Sequence, residues 1–198
     1  MRSSPPRYTI EEMIQMIDEP NRSACFRIIN ENRKLFQTVQ GSTNNHQAWP
    51  GGYWDHVEEI MNIGIQQFEL ASSIQGEELD FSLSDVLIVT FLHDIEKPWK
   101  YELGEDGRLH IIESLATKQA QHEFKVKKLA EYGVVLTDQQ LNGIKYAEGE
   151  LNDYSSKHRV MNSLAVLCHI ADVFSARLRY NNPLEKNDPW IGAKRHQN

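Results

Sequence analysis

The chain has 198 residues, long enough for one domain with a full hydrophobic core. Hydrophobic residues make up 40% and charged residues 25%, and the formal net charge is -7. With no basic tract, that balance excludes a broad duplex-binding surface, which needs clustered Lys and Arg, while leaving room for a small local basic pocket.

Tyr8 to Ile17 reads as a helix, with Thr9 as N-cap and Glu12 as its capping-box partner. A second helix is expected over about Asn21 to Phe36. The polar stretch Val39 to Gly52, with Pro50-Gly51-Gly52, reads as a loop. A long helix then runs from near Tyr53 to about Ser73, with Val57, Ile60, Met61, Gly64 and Phe68 on one face. Ser82 or Ser84 caps the next helix, Asp85 to about Lys97, which is apolar nearly all round and therefore central. Pro98 is expected to stop it.

Tyr101 to Ile112 contains Gly104 and Gly107 and reads as a loop or small hairpin. Helices follow at about Ser114 to Tyr132, Asp138 to Gly149 and Lys157 to Tyr180. Almost no segment alternates with period two, so the fold class is all-α, a single-domain helical bundle. Residues 1–43 form the N-terminal helices, 44–180 the core and 181–198 a polar tail with Pro183 and Pro189, expected to wrap the surface or fray. Cys25 and Cys168 fall in apolar helical patterns and read as small core residues. No apolar run approaches the roughly 18 residues of a bilayer span, and MRSSPPRYTI lacks the apolar centre of a signal peptide. The expectation is a cytoplasmic protein with no membrane partner.

The hydrophobic pattern breaks in an informative way. His93 and Asp94 end a helix that is otherwise apolar on every side. A buried unpaired carboxylate costs several kcal/mol or more unless it is neutralised, hydrogen-bonded or bound to metal. Asp172 poses the same problem, following Leu164 and Cys168 on one helix face. His56 sits one turn before Ile60, on the inward side of its helix. Two His and two Asp from three mutually packed helices suit a borderline divalent ion such as Mn, Fe, Co, Ni or Zn. Manganese is the first expectation, and Mg is also compatible. Four such ligands leave coordination positions open for water and substrate.

The order His56, His93-Asp94, Asp172 resembles the H…HD…D signature of the HD-domain superfamily of metal-dependent phosphohydrolases. Phe91-Leu92-His93-Asp94-Ile95-Glu96-Lys97 is similar to that family's "LHDIGK", with Glu96 in place of Gly. Ile170 to Ala176 is similar to the segment around its last ligand. His46 to His56 (HQAWPGGYWDH) resembles the "HHAY.GGLLEH" motif of HD-domain 3'-5' exoribonucleases, with Gln47 in place of the second His. The resemblance covers roughly residues 44 to 178. It implies an HD-type bundle and a metal held by His56, His93, Asp94 and Asp172. Further His ligands of some members would fall at His122 and at a later pair, which is Tyr146-Ala147 here, so a second ion is doubtful.

By the same resemblance, a metal-activated water would attack phosphorus, with Asp94 orienting it. Lys97 lies one turn beyond His93, in reach of a substrate phosphate, or is a solvated lysine at a helix end. Glu96 is a candidate general acid, a partner to a ligand His, or a surface residue. His46 is a candidate to contact phosphate. His122 is a candidate phosphate contact, a ligand to a second ion, or structural, and His169 is a candidate partner to the site. Trp49, Tyr53, Trp54 and Trp99 cluster around these motifs and suit either base stacking or core packing. The expected function is hydrolysis of a small nucleotide, a (deoxy)nucleoside mono- or triphosphate. The alternatives are a phosphodiesterase (a short-oligonucleotide 3'-5' exonuclease or cyclic-nucleotide hydrolase) and a non-catalytic nucleotide-binding module. A homo-oligomer is compatible with all three.

Overall fold

The computed structural model describes residues 6–42, 46–76, 78–105 and 109–178. Within them the chain is an all-α bundle of α1 (Ile10–Gln15), α2 (Asn21–Phe36), α3 (Gly52–Gln75), α4 (Leu83–Leu92), α5 (Lys97–Lys100), α6 (Lys118–Glu131), α7 (Asp138–Tyr146) and α8 (Ser163–Leu178). A two-stranded antiparallel hairpin, β1 (Tyr101–Leu103) with β2 (Leu109–Ile111), projects between α5 and α6, with Tyr101 opposite Ile111.

Side-chain caps set where several helices start. Thr9 Oγ1 accepts from the Glu12 backbone N–H at 3.3 Å, and Glu12 returns a carboxylate to the Thr9 N–H at 2.8 Å. Ser82 with Asp85 and Thr137 with Gln140 repeat this box at the starts of α4 and α7. Thr117 caps α6, so that helix begins four residues later than the periodicity predicts. Asn162 plays the same part for α8, accepting from the Ala165 N–H at 2.8 Å. Residues 157–162 are therefore not helical as expected: Asn142 draws Asn162 into an interhelical contact at 3.0 Å, and Ser155 and His158 close a small turn.

α4 lies at the centre, packed by α1, α3, α7 and α8. Every side chain from Val86 to Leu92 is buried, each worth about 1.5–3 kcal/mol for the larger apolar residues. Gly143 lets α7 approach α4: a Cβ there would stand 2.9 Å from a Val89 methyl. Cys25 and Cys168 are both buried free thiols, and burial pushes the Cys25 thiol up to about 12. Tyr53 and Trp54 are core residues, and Trp99 packs edge-on against Phe36 at 5.7 Å. All three aromatic rings are engaged in packing.

α4 ends at Leu92, earlier than expected. The chain turns through bonds from the Ile95 N–H to Leu92 O and the Lys97 N–H to Asp94 O, at 3.2 and 3.0 Å. Pro98 does not terminate α4. It stands in the first turn of α5, where its missing N–H costs little. Among the described residues no helix is long and apolar enough to cross a membrane. Residues 179–198, which include the expected tail, lie outside the described residues.

Candidate metal centre

The site forms where the loop before α3 meets the C-terminal end of α4 and the middle of α8. The loop folds back on itself: the Gly41 N–H donates to Gln47 O at 3.0 Å and the Gly52 N–H to Trp49 O at 2.8 Å. Gln47 has a left-handed φ of 43°. A Cβ on Gly52 would overlap Gln47 O at 1.8 Å, so glycine is required there. This tight return sends the Gln47 side chain inward. Its Nε2 donates to Glu59 Oε2 at 2.8 Å and to Ser175 Oγ at 3.2 Å.

These bonds decide the state of His56. The Ser175 hydroxyl donates to Glu59 at 2.8 Å, so its oxygen is left to accept. His56 Nδ1 stands 3.3 Å from that oxygen and therefore carries the proton. His93 is fixed in the same way, with Nδ1–H donating to Thr90 O at 2.7 Å. In the neutral form of each ring Nε2 then holds the lone pair. Both Nε2 atoms are fully buried without a hydrogen-bond partner among the described residues.

What faces those lone pairs is negative. His56 Nε2 is 3.6 Å from Asp94 Oδ2 and 3.4 Å from Asp172 Oδ1. His93 Nε2 is 3.1 Å from Asp94 Oδ2 and 3.9 Å from Asp172 Oδ1. Against the effect of burial, Asp94 and Asp172 raise the His93 imidazole above its ordinary value, so the cluster attracts positive charge at Nε2, and a divalent ion can take the place of that proton. With bonds of about 2.1 Å, ligand atoms are about 3.0 Å apart at right angles, about 3.4 Å at the tetrahedral angle and about 4.2 Å when opposite. The four separations fall in that range. Donor atoms of His56, His93 and Asp172 lie within 4.8 Å of one another. Two imidazoles and the Asp172 carboxylate therefore form a group that can hold a divalent ion, while Asp94, expected as the fourth ligand, lies outside that group with its Oδ2 beside both Nε2 atoms and paired with Lys97.

The local electrostatics are strong. Burial raises the Asp94 carboxyl, but Lys97 and His93 outweigh it and hold it well below the usual carboxylate range. Asp172 is also held low, against burial, by His56 and His93. Burial works against the charge on Lys97, yet its ion pair with Asp94 raises the ammonium above its ordinary value. His46 lies over His56 with ring centroids 4.6 Å apart. Burial, then His56 and Lys97, push His46 down to about 3, so it is neutral.

The other predicted residues are spread around this cluster. Glu96 is buried and pairs with Lys125 at 3.2 Å, and the same ammonium donates to His93 O. Glu96 thereby braces α6 against the His93-Asp94 turn, with no bond to a ligand ring. Trp49 gives its indole N–H to Asp55 Oδ2 at 2.7 Å. His122 is exposed on α6 and lines a neighbouring cavity that His93 also borders. His169 Nδ1–H donates to Ala147 O, 2.8 Å away, tying the end of α7 to α8. Sequence reasoning missed Ser175, Glu59 and Lys125. One signal was present: Glu59 and Ser175 each follow a ligand, His56 and Asp172, by three residues, one turn along the same helix face. No protein-family model, curated protein or solved structure matches this chain.

Proposed function

We propose that the chain is a metal-dependent phosphohydrolase of the HD-domain type, acting on a small nucleotide, with His56, His93, Asp94 and Asp172 as ligands. One observation carries this reading: two Nε2 lone pairs, each locked by its own Nδ1–H bond, face two carboxylates across 3.1–3.9 Å. The ordered resemblance of His56, His93-Asp94 and Asp172 to the HD signature supports it independently.

His56, His93, Asp94 and Asp172 would hold a divalent ion, which would supply an acidified water and offset charge on the phosphoryl oxygens. Asp94, kept ionised by Lys97 and His93, would orient that water and is a poor store for its proton. Lys97 has a buried ammonium beside the ligands and binds a phosphoryl oxygen as a point charge. His46 is neutral and its buried Nε2 lacks a partner among the described residues, so it is a candidate to accept or donate one hydrogen bond to substrate.

The test is the double variant His93→Ala/Asp94→Ala, assayed for bound metal and for release of phosphate, pyrophosphate or nucleoside with manganese. Loss of both is expected. Full activity in that variant refutes the reading. Stepwise mononucleotide release from short single strands moves the assignment to a phosphodiesterase, the function that HQAWPGGYWDH favours. Tight nucleotide binding without release moves it to a non-catalytic module.

A further inference from the structure

A cavity of about 500 Å³ opens beside the candidate metal centre, between the end of α4, α6 and the end of α7. That is a size typical of small-ligand sites, about 300–1,000 Å³. His93 borders both the cavity and the ligand cluster. The cavity walls carry Lys118, Lys125 and Lys145 against Glu96 and Glu148, together with His122. Each lysine has one acidic partner, Lys118 with Glu148, Lys125 with Glu96 and Lys145 with Asp153, so three cations gather here in a chain whose overall charge is -7.

The three lysines are held differently. Lys125 is buried in its pair with Glu96, at 13% and 6% side-chain exposure, and it also donates to His93 O. It is framework. Lys118 pairs with Glu148 at 2.5 Å and Lys145 with Asp153 at 2.8 Å, but these side chains are 67%, 45%, 54% and 47% exposed. Exposed pairs of this kind contribute little to stability, so a phosphate oxygen can replace the carboxylate at little cost. His122 has no hydrogen bond or ion pair among the described residues and stands on the same wall.

We infer that this cavity binds the phosphate chain of a nucleoside polyphosphate, with Lys118, Lys145 and His122 taking the phosphates that lie away from the metal. The inference rests on the phosphohydrolase reading of the neighbouring centre. It narrows the substrate from any small nucleotide to a nucleoside di- or triphosphate. A monophosphate would engage only the metal and Lys97, leaving the cavity's cations unused.

The first experiment is calorimetric binding of inorganic tripolyphosphate and of orthophosphate to the full chain without added metal. Tripolyphosphate is expected to bind at least tenfold more tightly. In Lys118→Gln/Lys145→Gln the ratio of the two affinities falls at least tenfold. Equal affinity for the two probes, or an unchanged ratio in the double variant, overturns the inference. A short single-stranded oligonucleotide that displaces tripolyphosphate with equal affinity also overturns it, by making the cavity a strand groove. In the manganese-loaded protein, the kcat/KM ratio of nucleoside triphosphate to monophosphate falls at least tenfold in the same double variant. Equal losses on both substrates count against the cavity. If no nucleotide is hydrolysed at all, the phosphohydrolase reading fails alone, and the tripolyphosphate ratio still decides this one.

Discussion

α4 and the turn that follows it are equally buried and opposite in character. From Val86 to Leu92 every side chain is sealed in the core, and all but Thr90 are apolar. From His93 to Lys97 the chain is just as enclosed, yet four of its five side chains are ionisable. Burial stabilises the first stretch through removed apolar surface. In the second it is a cost, met by the ion pairs Lys97–Asp94 and Lys125–Glu96 and by backbone bonds to His93. Stability and chemistry are thus separated by a single residue boundary. Substitutions on the two sides should fail in different ways.

The largest effect on the packing side is expected for Leu87→Ala, a residue with no exposed surface. A cavity at such a position costs about 2–5 kcal/mol. Urea unfolding should show that loss, while the folded fraction binds manganese within twofold of the parent chain. A large drop in metal affinity at equal folding would erase the division between the two stretches.

On the chemical side the next effect is expected for Ser175→Ala. It removes the oxygen that accepts from His56 Nδ1–H and the hydroxyl that donates to Glu59. Partners that orient a ligand ring are worth about 10–100-fold in metal affinity. The expected result is that loss in a metal titration, with a metal-free stability loss of about 1–3 kcal/mol from the buried partners left unpaired. Unchanged affinity would remove the hydrogen-bond argument for the His56 tautomer.

The sequence made one side of this division far more legible than the other. Charged residues inside an apolar helix stand out, so His93, Asp94 and Asp172 could be picked from pattern alone, and α2 matches its expected span from Asn21 to Phe36. The supports did not stand out. Gln47, Glu59 and Ser175 come from a loop and two helices, and each is a residue type that is normally exposed. Only the fold makes them one buried network. Lys125 looks like a surface lysine of an amphipathic helix until α6 is laid against the His93-Asp94 turn. The ends of α4 and α8 were misjudged for a related reason: Asn162 is bound by Asn142 across helices, and the turn after Leu92 serves the site rather than local propensity. The aromatic residues were ambiguous because a ring beside a polar motif has the same sequence whether it stacks on a base or fills a core.

A smaller effect tests how tightly the apolar stretch is packed. Gly143→Ala places a methyl 2.9 Å from Val89 Cγ1 and 3.1 Å from its Cγ2. Overpacking of this kind costs about 1–3 kcal/mol, while Ala for Gly inside a helix returns about 1 kcal/mol. The clash should win narrowly, for a net loss of about 1 kcal/mol in urea unfolding, because α7 is held against both α4 and α8 and cannot simply move out. Net stabilisation would mean that Val89 turns aside freely and that the packing around α4 is looser than its burial implies.

The smallest effect uses the two thiols as reporters. Cys25 lies in α2, remote in sequence from every ligand, while Cys168 sits one turn before Asp172 on α8. Both are buried, and burial raises both thiols above their ordinary value. A thiol reacts as thiolate, so alkylation near neutral pH requires the chain to open first. Metal that binds His56, His93 and Asp172 ties α8 to α3 and to the end of α4, and it must be released before α8 can leave. Saturating manganese should therefore slow Cys168 alkylation more than Cys25 alkylation, read by mass spectrometry of each labelled peptide. If the protein opens only as a whole, the two rates slow by the same factor, and the functional end of the bundle has no separate opening of its own. If manganese slows neither, the cation does not bind at His56, His93 and Asp172.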